Sequence, residues 1–179
     1  MLIANQKRKE NIAEYLLYMF QVEDAVRAYG FDIIQIEKNI VNRYDQPYSV
    51  RRDIREWYSS LITIMQAKNL NKKGHIPIIQ SLIYELESLH SELLEDAKEY
   101  QYQKTYSAAK LSIEALRIRS EVKTTGDIQL CLNGLYGLLM LRLSGRKISP
   151  ETSRAFESIS ELVAILSAKF RKRENEQDQ

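Results

Sequence analysis

The chain has 179 residues, enough for one domain of ordinary size with a substantial hydrophobic core. Hydrophobic residues make up 44% of it and charged residues 28%, so the composition excludes a wholly disordered protein. The 26 basic and 24 acidic residues leave a net charge of +2, which is too balanced to indicate a polyanionic partner.

Apolar residues recur at spacings of three and four along nearly the whole chain, which is the period of amphipathic helices. Only six Gly and three Pro are present, and sheet-rich folds need more turn residues than that. In chain order, helices are predicted over residues 5–29, 32–43, 50–69, 76–98, 106–122, 128–143 and 149–171. We therefore expect an all-α fold, a single-domain bundle of six or seven helices over residues 1–173, with a frayed polar tail at 174–179.

Several residues predict where these helices begin and end. Gly30 supplies a left-handed stop for the first helix, and Asp32 and Ser49 are expected to cap the second and third. The apolar period breaks over residues 99–107, which predicts a kink or a short loop. Residues 124–127 are expected to end the fifth helix and cap the sixth.

The sixth helix, over residues 128–143, is apolar on every side, which is typical of a central helix surrounded by others. Gly134 and Gly137 lie within one turn of it, although each Gly costs a helix interior about 1 kcal/mol relative to Ala. Close packing against the first or last helix is the favoured compensation. The alternative is room for a ligand beside the bare backbone.

The compartment is predicted from what the sequence lacks. Cys131 is the one cysteine, which fits a reducing cytosol. The first residues carry charges where a signal peptide would be apolar. The longest apolar run is interrupted by Asn133 and Arg142 and is shorter than the roughly 20 residues of a membrane span. We expect a cytoplasmic protein without a membrane segment.

Metal and cofactor sites are not expected. Glu87 and His90 have the Glu-x-x-His spacing of di-iron bundles, but such a site needs a second copy of that motif, and His75 has no Glu three residues before it. His90 is therefore predicted to be a hydrogen-bonded structural residue. Glu92 and Glu95 have the spacing of helical pyrophosphohydrolases without a matching Asp on the next helix, which favours a solvated acidic face.

A polar pocket is the sharpest hypothesis the residues offer. Glu23 falls within the inward stripe of the first helix, where a charge is costly unless it is paired. Arg27 lies four residues later, and Arg142 interrupts the apolar sixth helix. We expect Glu23 to pair with one of these two arginines, and a ligand site would comprise Glu23, Arg27, Arg142 and His90. A buried pair that only fixes packing is the favoured interpretation, and the ligand pocket is the alternative.

Two segments resemble a known family. Residues 6–24, QKRKENIAEYLLYMFQVED, are similar to the start of the uncharacterised bacterial family called domain of unknown function 4924. Residues 135–143, LYGLLMLRL, and 148–152, ISPET, resemble its C-terminal half. The resemblance implies a helical, cytoplasmic bacterial protein. It carries no known activity, so no functional residue is transferred.

Two functions remain open. The favoured one is a non-catalytic cytoplasmic domain that acts through protein contacts, including self-association as a homo-oligomer, with no membrane or nucleic-acid partner. The alternative is a small-ligand or nucleotide-processing enzyme with a polar pocket around Glu23, Arg27 and Arg142. Converging polar residues in a deep cavity would favour the enzyme, and an apolar outer patch would favour the binding domain.

Overall fold

The computed structural model describes residues 2–120 and 126–177, and in this part of the chain all regular structure is helical. The predicted all-α bundle is confirmed. Two short 3-10 turns lie at Val41–Arg43 and Ala97–Glu99. The α-helices are α1 Leu2–Glu10, α2 Ile12–Ala28, α3 Ile33–Asn39, α4 Tyr48–Ala67, α5 Pro77–Glu95, α6 Tyr100–Arg119, α7 Asp127–Leu143 and α8 Pro150–Gln177.

The predicted first helix is two helices. Asn11 breaks it, with extended backbone angles of φ −157° and ψ 113°. The Asn11 side-chain oxygen accepts hydrogen bonds from the backbone N–H groups of Ala13 and Glu14, which makes Asn11 the N-cap of α2. The single helix predicted over residues 5–29 is wrong at this point, because Asn competes for backbone donors more readily than it continues a helix.

The end of α2 follows the prediction. Gly30 and Phe31 both have positive φ, 62° and 63°, which ends the helix with left-handed backbone. Asp32 then caps α3, since its carboxylate accepts from the backbone N–H of Ile34 at 2.8 Å.

Two other boundaries differ from the prediction. The N-cap of α4 is Pro47 and no side chain caps this end, so Ser49 lies inside the helix instead of capping it. Residues 100–107, expected to contain a kink or loop, are the first turns of α6. Asp96 caps the short 3-10 turn before them, and the burial of Tyr102 holds this part of α6 on the core. Part of the predicted turn at 124–127 lies outside the described residues.

The predicted central position holds for half of α7. Ile128, Cys131 and Leu132 are completely buried. From Met140 to the end of the helix, every residue is exposed, so Arg142 lies in solvent. The prediction of a helix surrounded on all sides is therefore wrong for its C-terminal half. An apolar composition indicates that a helix is suited to burial, but it does not indicate whether other helices of the same chain pack on every face of it.

One hydrophobic core contains residues of all eight described α-helices. The longest helix, α8, packs along α6 and contributes a stripe at helical spacing, namely Ile159, Leu162, Val163, Leu166 and Phe170. It continues to Gln177, so residues 174–177 are helical where the sequence predicts a frayed tail. Arg8 of α1 donates to Glu174 of α8, with Nη1 at 2.9 Å from Oε2. None of the described helices combines the length and apolarity that crossing a membrane requires.

Candidate functional site

Glu23 is a completely buried carboxylate, as its place in the inward stripe of α2 predicts. Its Oε1 accepts a hydrogen bond from the backbone N–H of Ile76 at 2.8 Å, and its Oε2 lies 2.6 Å from Nδ1 of His75. Ile76 is the N-cap of α5, where a negative charge is favourable. The predicted partner, Arg27 or Arg142, is wrong. Glu23 instead fastens the start of α5 to the middle of α2.

His75 lies flat on the aromatic ring of Phe20, with the ring centroids 4.1 Å apart and the planes 19° from parallel. Its side chain is 17% exposed, so one edge of the ring reaches the surface. A carboxylate on one nitrogen of a histidine is the arrangement that orients a catalytic base in enzymes with an activated nucleophile. Among the described residues, however, no hydroxyl or thiol group is hydrogen-bonded to this ring.

Arg27 serves the same junction from its outer side. Its Nε donates to the backbone carbonyl of Leu70 at 3.0 Å, and its Nη2 donates to the carbonyl of Gly74. Its Nη1 lies 2.8 Å from Asp24, whose other oxygen accepts from the hydroxyl of Tyr136 at 2.7 Å. Arg27 therefore ties the segment between α4 and α5 to α2, and its guanidinium is occupied by groups of the chain itself.

Glu23 pairs with His75, and Arg27, Asp24 and Tyr136 form a second set of contacts that reaches the neighbouring Gly74. We call these five residues the Glu23 cluster. Of the four residues predicted to make a ligand site, it contains Glu23 and Arg27. Arg142 is exposed at the end of α7 and makes no ion pair with any described residue. His90 belongs to a different group. The predicted convergence of all four residues does not occur.

His90 is buried and makes contacts typical of a structural residue. Its Nδ1 lies 2.7 Å from the hydroxyl of Tyr102, and its ring meets the edge of Tyr106 at a centroid distance of 4.9 Å. Burial lowers the pKa of His90 and outweighs the opposing effect of the Asp127 carboxylate. This buried, aromatic-lined environment matches the hydrogen-bonded histidine that the sequence predicts.

Glu87, one turn before His90, caps a helix other than its own. Its Oε1 accepts from the backbone N–H of Gln129 in the first turn of α7 at 2.8 Å. Burial raises the pKa of Glu87, and the hydrogen bond from Gln129 opposes that rise. Gly126 precedes α7, and a Cβ there would overlap the Glu87 carboxylate. Glu87 thus satisfies a free donor at the start of α7 from the neighbouring α5.

A second carboxylate stabilises the same helix end. Asp127, the first residue of α7, accepts from the hydroxyl of Tyr106 at 2.7 Å and pairs with Arg117. We call Glu87, His90, Tyr102, Tyr106, Arg117 and Asp127 the Glu87 cluster. Sequence reasoning assigned the acidic residues of α5 to a solvated face and so missed it. The available signal was the Gly126-Asp127 helix start, which leaves backbone donors without a side-chain cap.

The best-formed clefts among residues 2–120 and 126–177 are lined by residues outside both clusters. A cleft of about 200 Å³ lies between α5 and α8 and is bordered by Glu85, Ser88, Phe170, Arg173 and Glu174, none of which belongs to the predicted site. Within residues 2–120 and 126–177, no group of three or more His, Cys, Asp or Glu side chains is placed to hold a metal ion. The polar residues of the two clusters join one helix to another.

The family comparison agrees with the resemblance of the two segments. The family described as domain of unknown function 4924 matches residues 1–177. The chain belongs to this family. No curated protein and no solved structure matches the chain. The domain of unknown function 4924 therefore has here an all-α fold with two polar clusters between its helices, and the segments that carry the resemblance contain Asn11, Glu23 and the exposed end of α7.

Proposed function

We propose that the chain is a non-catalytic domain that acts through protein contacts in the bacterial cytoplasm. The observation that carries the proposal is the apolar C-terminal end of α7. Met140 is 43% exposed, Leu141 37% and Leu143 65%, and these three residues are called the α7 end. Met140 and Leu143 are three positions apart and so lie on one face of this helix end, and exposed apolar faces of this kind are surfaces that bind other proteins.

The polar clusters support a non-catalytic role. Glu23, Arg27 and Glu87 are all engaged by groups of this chain, and each of them joins one helix to another. A buried acid or base used in catalysis needs a path to substrate, whereas Glu23 is completely buried. The single cysteine, Cys131, is buried as a free thiol, which fits a reducing compartment.

The proposal is tested by photo-crosslinking in the cells that naturally make the protein. Leu143 is replaced by the photoreactive residue benzoylphenylalanine. Illumination is expected to give a discrete higher-mass adduct, because the α7 end lies against a partner. The matched control places the same residue at Asn133, an exposed polar position on the same helix.

The two positions separate a specific contact from random collision. An adduct from position 143 that is absent from position 133 supports the proposal. If position 143 gives no more adduct than position 133, the α7 end is free in the cell and the proposal fails.

One specific feature favours a second candidate function, a small-ligand or nucleotide-processing enzyme. It is the carboxylate–imidazole pair of Glu23 and His75, with Nδ1 held at 2.6 Å and the ring partly exposed beside Phe20. Since Glu23 occupies Nδ1, the remaining nitrogen, Nε2, is the one that a ligand would meet. Arg142 is no part of this version of the site.

The second candidate is tested by thermal denaturation with a panel of nucleoside mono-, di- and triphosphates. A ligand that stabilises the wild-type chain and loses this effect in His75→Gln would support it. The control is Lys104→Gln, an exposed change on α6 outside the Glu23 cluster. Equal shifts in all three proteins, or none in any, would contradict a nucleotide site at His75.

A further inference from the structure

The outer face of α6 carries apolar residues in a regular pattern. Ala108, Leu111, Ala115 and Ile118 follow one another at spacings of three, four and three, and all four are exposed. Leu111 is 85% exposed and Ile118 84%, the highest values among the large apolar residues described. The spacing is that of the a and d positions of a coiled-coil heptad, with the alanines at a and the larger residues at d. We call these four residues the α6 seam.

The α6 seam lies outside the hydrophobic core of its own chain, although Ala115 borders a cleft between α6 and α8. The core side of α6 is formed by Tyr102, Ala109 and Ile113, which are completely or almost completely buried. At 100° per residue, this side lies roughly opposite the seam. Leu111 and Ile118 therefore project from the bundle about 10 Å apart along the helix axis.

Opposite charges flank the α6 seam. Glu114 precedes Ala115 and takes the g position, while Arg119 follows Ile118 and takes the e position. The Glu114 side chain is 52% exposed, with a loose contact of 3.6 Å to Arg117 on its own helix. An acid therefore borders one edge of the seam and a base borders the other.

We infer that the partner of this face is a second copy of the chain, with the two α6 helices parallel about a twofold axis. The inference rests on the proposed function and names its partner. In a parallel pair the g residue of one helix faces the e residue of the next heptad on the other, five positions later. Glu114 is five positions before Arg119, so each Glu114 meets Arg119 of the second copy, twice by symmetry.

The antiparallel arrangement is disfavoured by the same charges. It brings like edges together, so that Glu114 faces Glu114 of the second copy across the seam, which is repulsive. The alanines favour close pairing, since their small side chains let two helix axes approach to the short end of the usual 8–10 Å range. Leu111 and Ile118 then pack against their own copies at the d layers.

The test is sedimentation velocity of the purified full chain over a series of concentrations. The wild-type protein is expected to form dimers whose fraction rises with concentration. Leu111→Glu is expected to raise the dissociation constant at least about tenfold, because it places two like charges in an apolar layer. The matched control is Lys110→Gln, which is exposed on the same helix but lies off the seam.

Charge reversal fixes the orientation. Glu114→Arg and Arg119→Glu are each expected to weaken the dimer, and the double variant carrying both is expected to restore it, since a parallel pair then regains both ion pairs. The four substituted positions, 110, 111, 114 and 119, are all exposed. Unchanged circular-dichroism melting curves, recorded at a concentration where the wild-type chain is monomeric, will show that the variants fold.

Three results would overturn the inference: a wild-type monomer at the highest soluble concentration, a Leu111→Glu dimer as tight as the wild type, or single reversals without effect. The last is the result expected of an antiparallel pair, in which like charges still face each other. The photo-crosslink at position 143 in cells stays independent of these results. A monomer that still crosslinks there would refute the second copy on α6 and leave the proposed function standing.

Discussion

The environment of Glu23 shows how one residue can hold two distant parts of a chain together. Its carboxylate receives the backbone N–H of Ile76 and faces the ring of His75, more than fifty positions later in the chain. A buried carboxylate is stable only with such partners, since its desolvation is otherwise uncompensated. The start of α5 thus depends on a side chain of α2.

Glu23→Ala is expected to lower the free energy of unfolding by about 3 kcal/mol, because it removes the partner of a buried backbone donor and of a largely buried imidazole. Urea denaturation measures this loss. The control is Glu14→Ala on the same helix, whose side chain is 60% exposed in its pair with Lys7. Its loss should stay within about 0.5 kcal/mol. Equal losses in both variants would contradict the structural role of Glu23.

His90 gives a prediction about pH. Burial lowers its pKa in the folded chain, so as the pH falls below about 6.5 the unfolded chain takes up the proton first. His90 therefore costs no stability above that pH. It destabilises the fold progressively as the pH drops toward the folded pKa, and the loss is constant below it. Between pH 7 and pH 5, His90→Gln is expected to lose less stability than the wild type.

A pH titration of the histidine ring signals by NMR measures the pKa of His90 directly, because the chain has only two histidines. The His90→Gln spectrum assigns the remaining signal to His75. A His90 midpoint at or above 6.5 in the folded protein would contradict the burial effect.

At the scale of helices, periodicity predicts where a helix runs better than where it is interrupted. The apolar stripe continues across Asn11, so only the capping chemistry of that residue indicates two helices, and Asn tolerates either role. The burial of Glu23 could be predicted from its place in the stripe. Its partner could not, because His75 lies in a linker whose path depends on the tertiary fold. The Glu87 cluster was missed because Glu87 lies on a helix face that the sequence assigns to solvent, and the backbone donor that Glu87 satisfies lies 42 positions later in the chain.

The glycines of α7 illustrate packing between helices. A Cβ at Gly134 would lie 2.8 Å from a methyl group of Leu116 on α6 and 3.1 Å from the ring of Phe156 on α8. At Gly137 nothing lies within 4 Å. Close packing, the favoured prediction, holds at Gly134, where the last helix is joined by α6. At Gly137 the space beside the bare backbone is open.

The two glycines are therefore expected to respond in opposite directions. Gly134→Leu should lower the free energy of unfolding by about 1–3 kcal/mol through overpacking. Gly137→Ala should raise it by about 1 kcal/mol, because the helix gains propensity without a clash. Thermal or urea denaturation measures both. A Gly134→Leu protein as stable as the wild type would contradict close packing, because it would show that Leu116 and Phe156 move aside at no cost in free energy.

For the whole molecule, the apolar residues divide between a buried core and two exposed surfaces. One core draws on every described α-helix, while the α6 seam and the α7 end remain outside it. Composition and period predict the bundle well, because burial of one face per helix determines it. They predict the exposed apolar surfaces poorly, because an exposed apolar face and a buried one have the same pattern in the sequence.

Cys131 reports on opening of the whole core. It is completely buried in α7, and burial, with smaller effects of Asp127 and Glu87, raises the pKa of its thiol to about 12. At pH 8 the folded chain therefore presents almost no thiolate, which is the reactive form, and reagent cannot reach the sulfur without an opening of the surrounding helices.

A disulfide reagent such as Ellman's is expected to label the native protein far more slowly than the chain unfolded in guanidinium chloride, which serves as the control. Gly134→Leu should accelerate native labelling and Gly137→Ala should slow it, because labelling follows the population of open molecules when closing is fast. Stoichiometric labelling of the native protein at the unfolded rate would mean that the thiol is accessible and that the core around α7 is not closed.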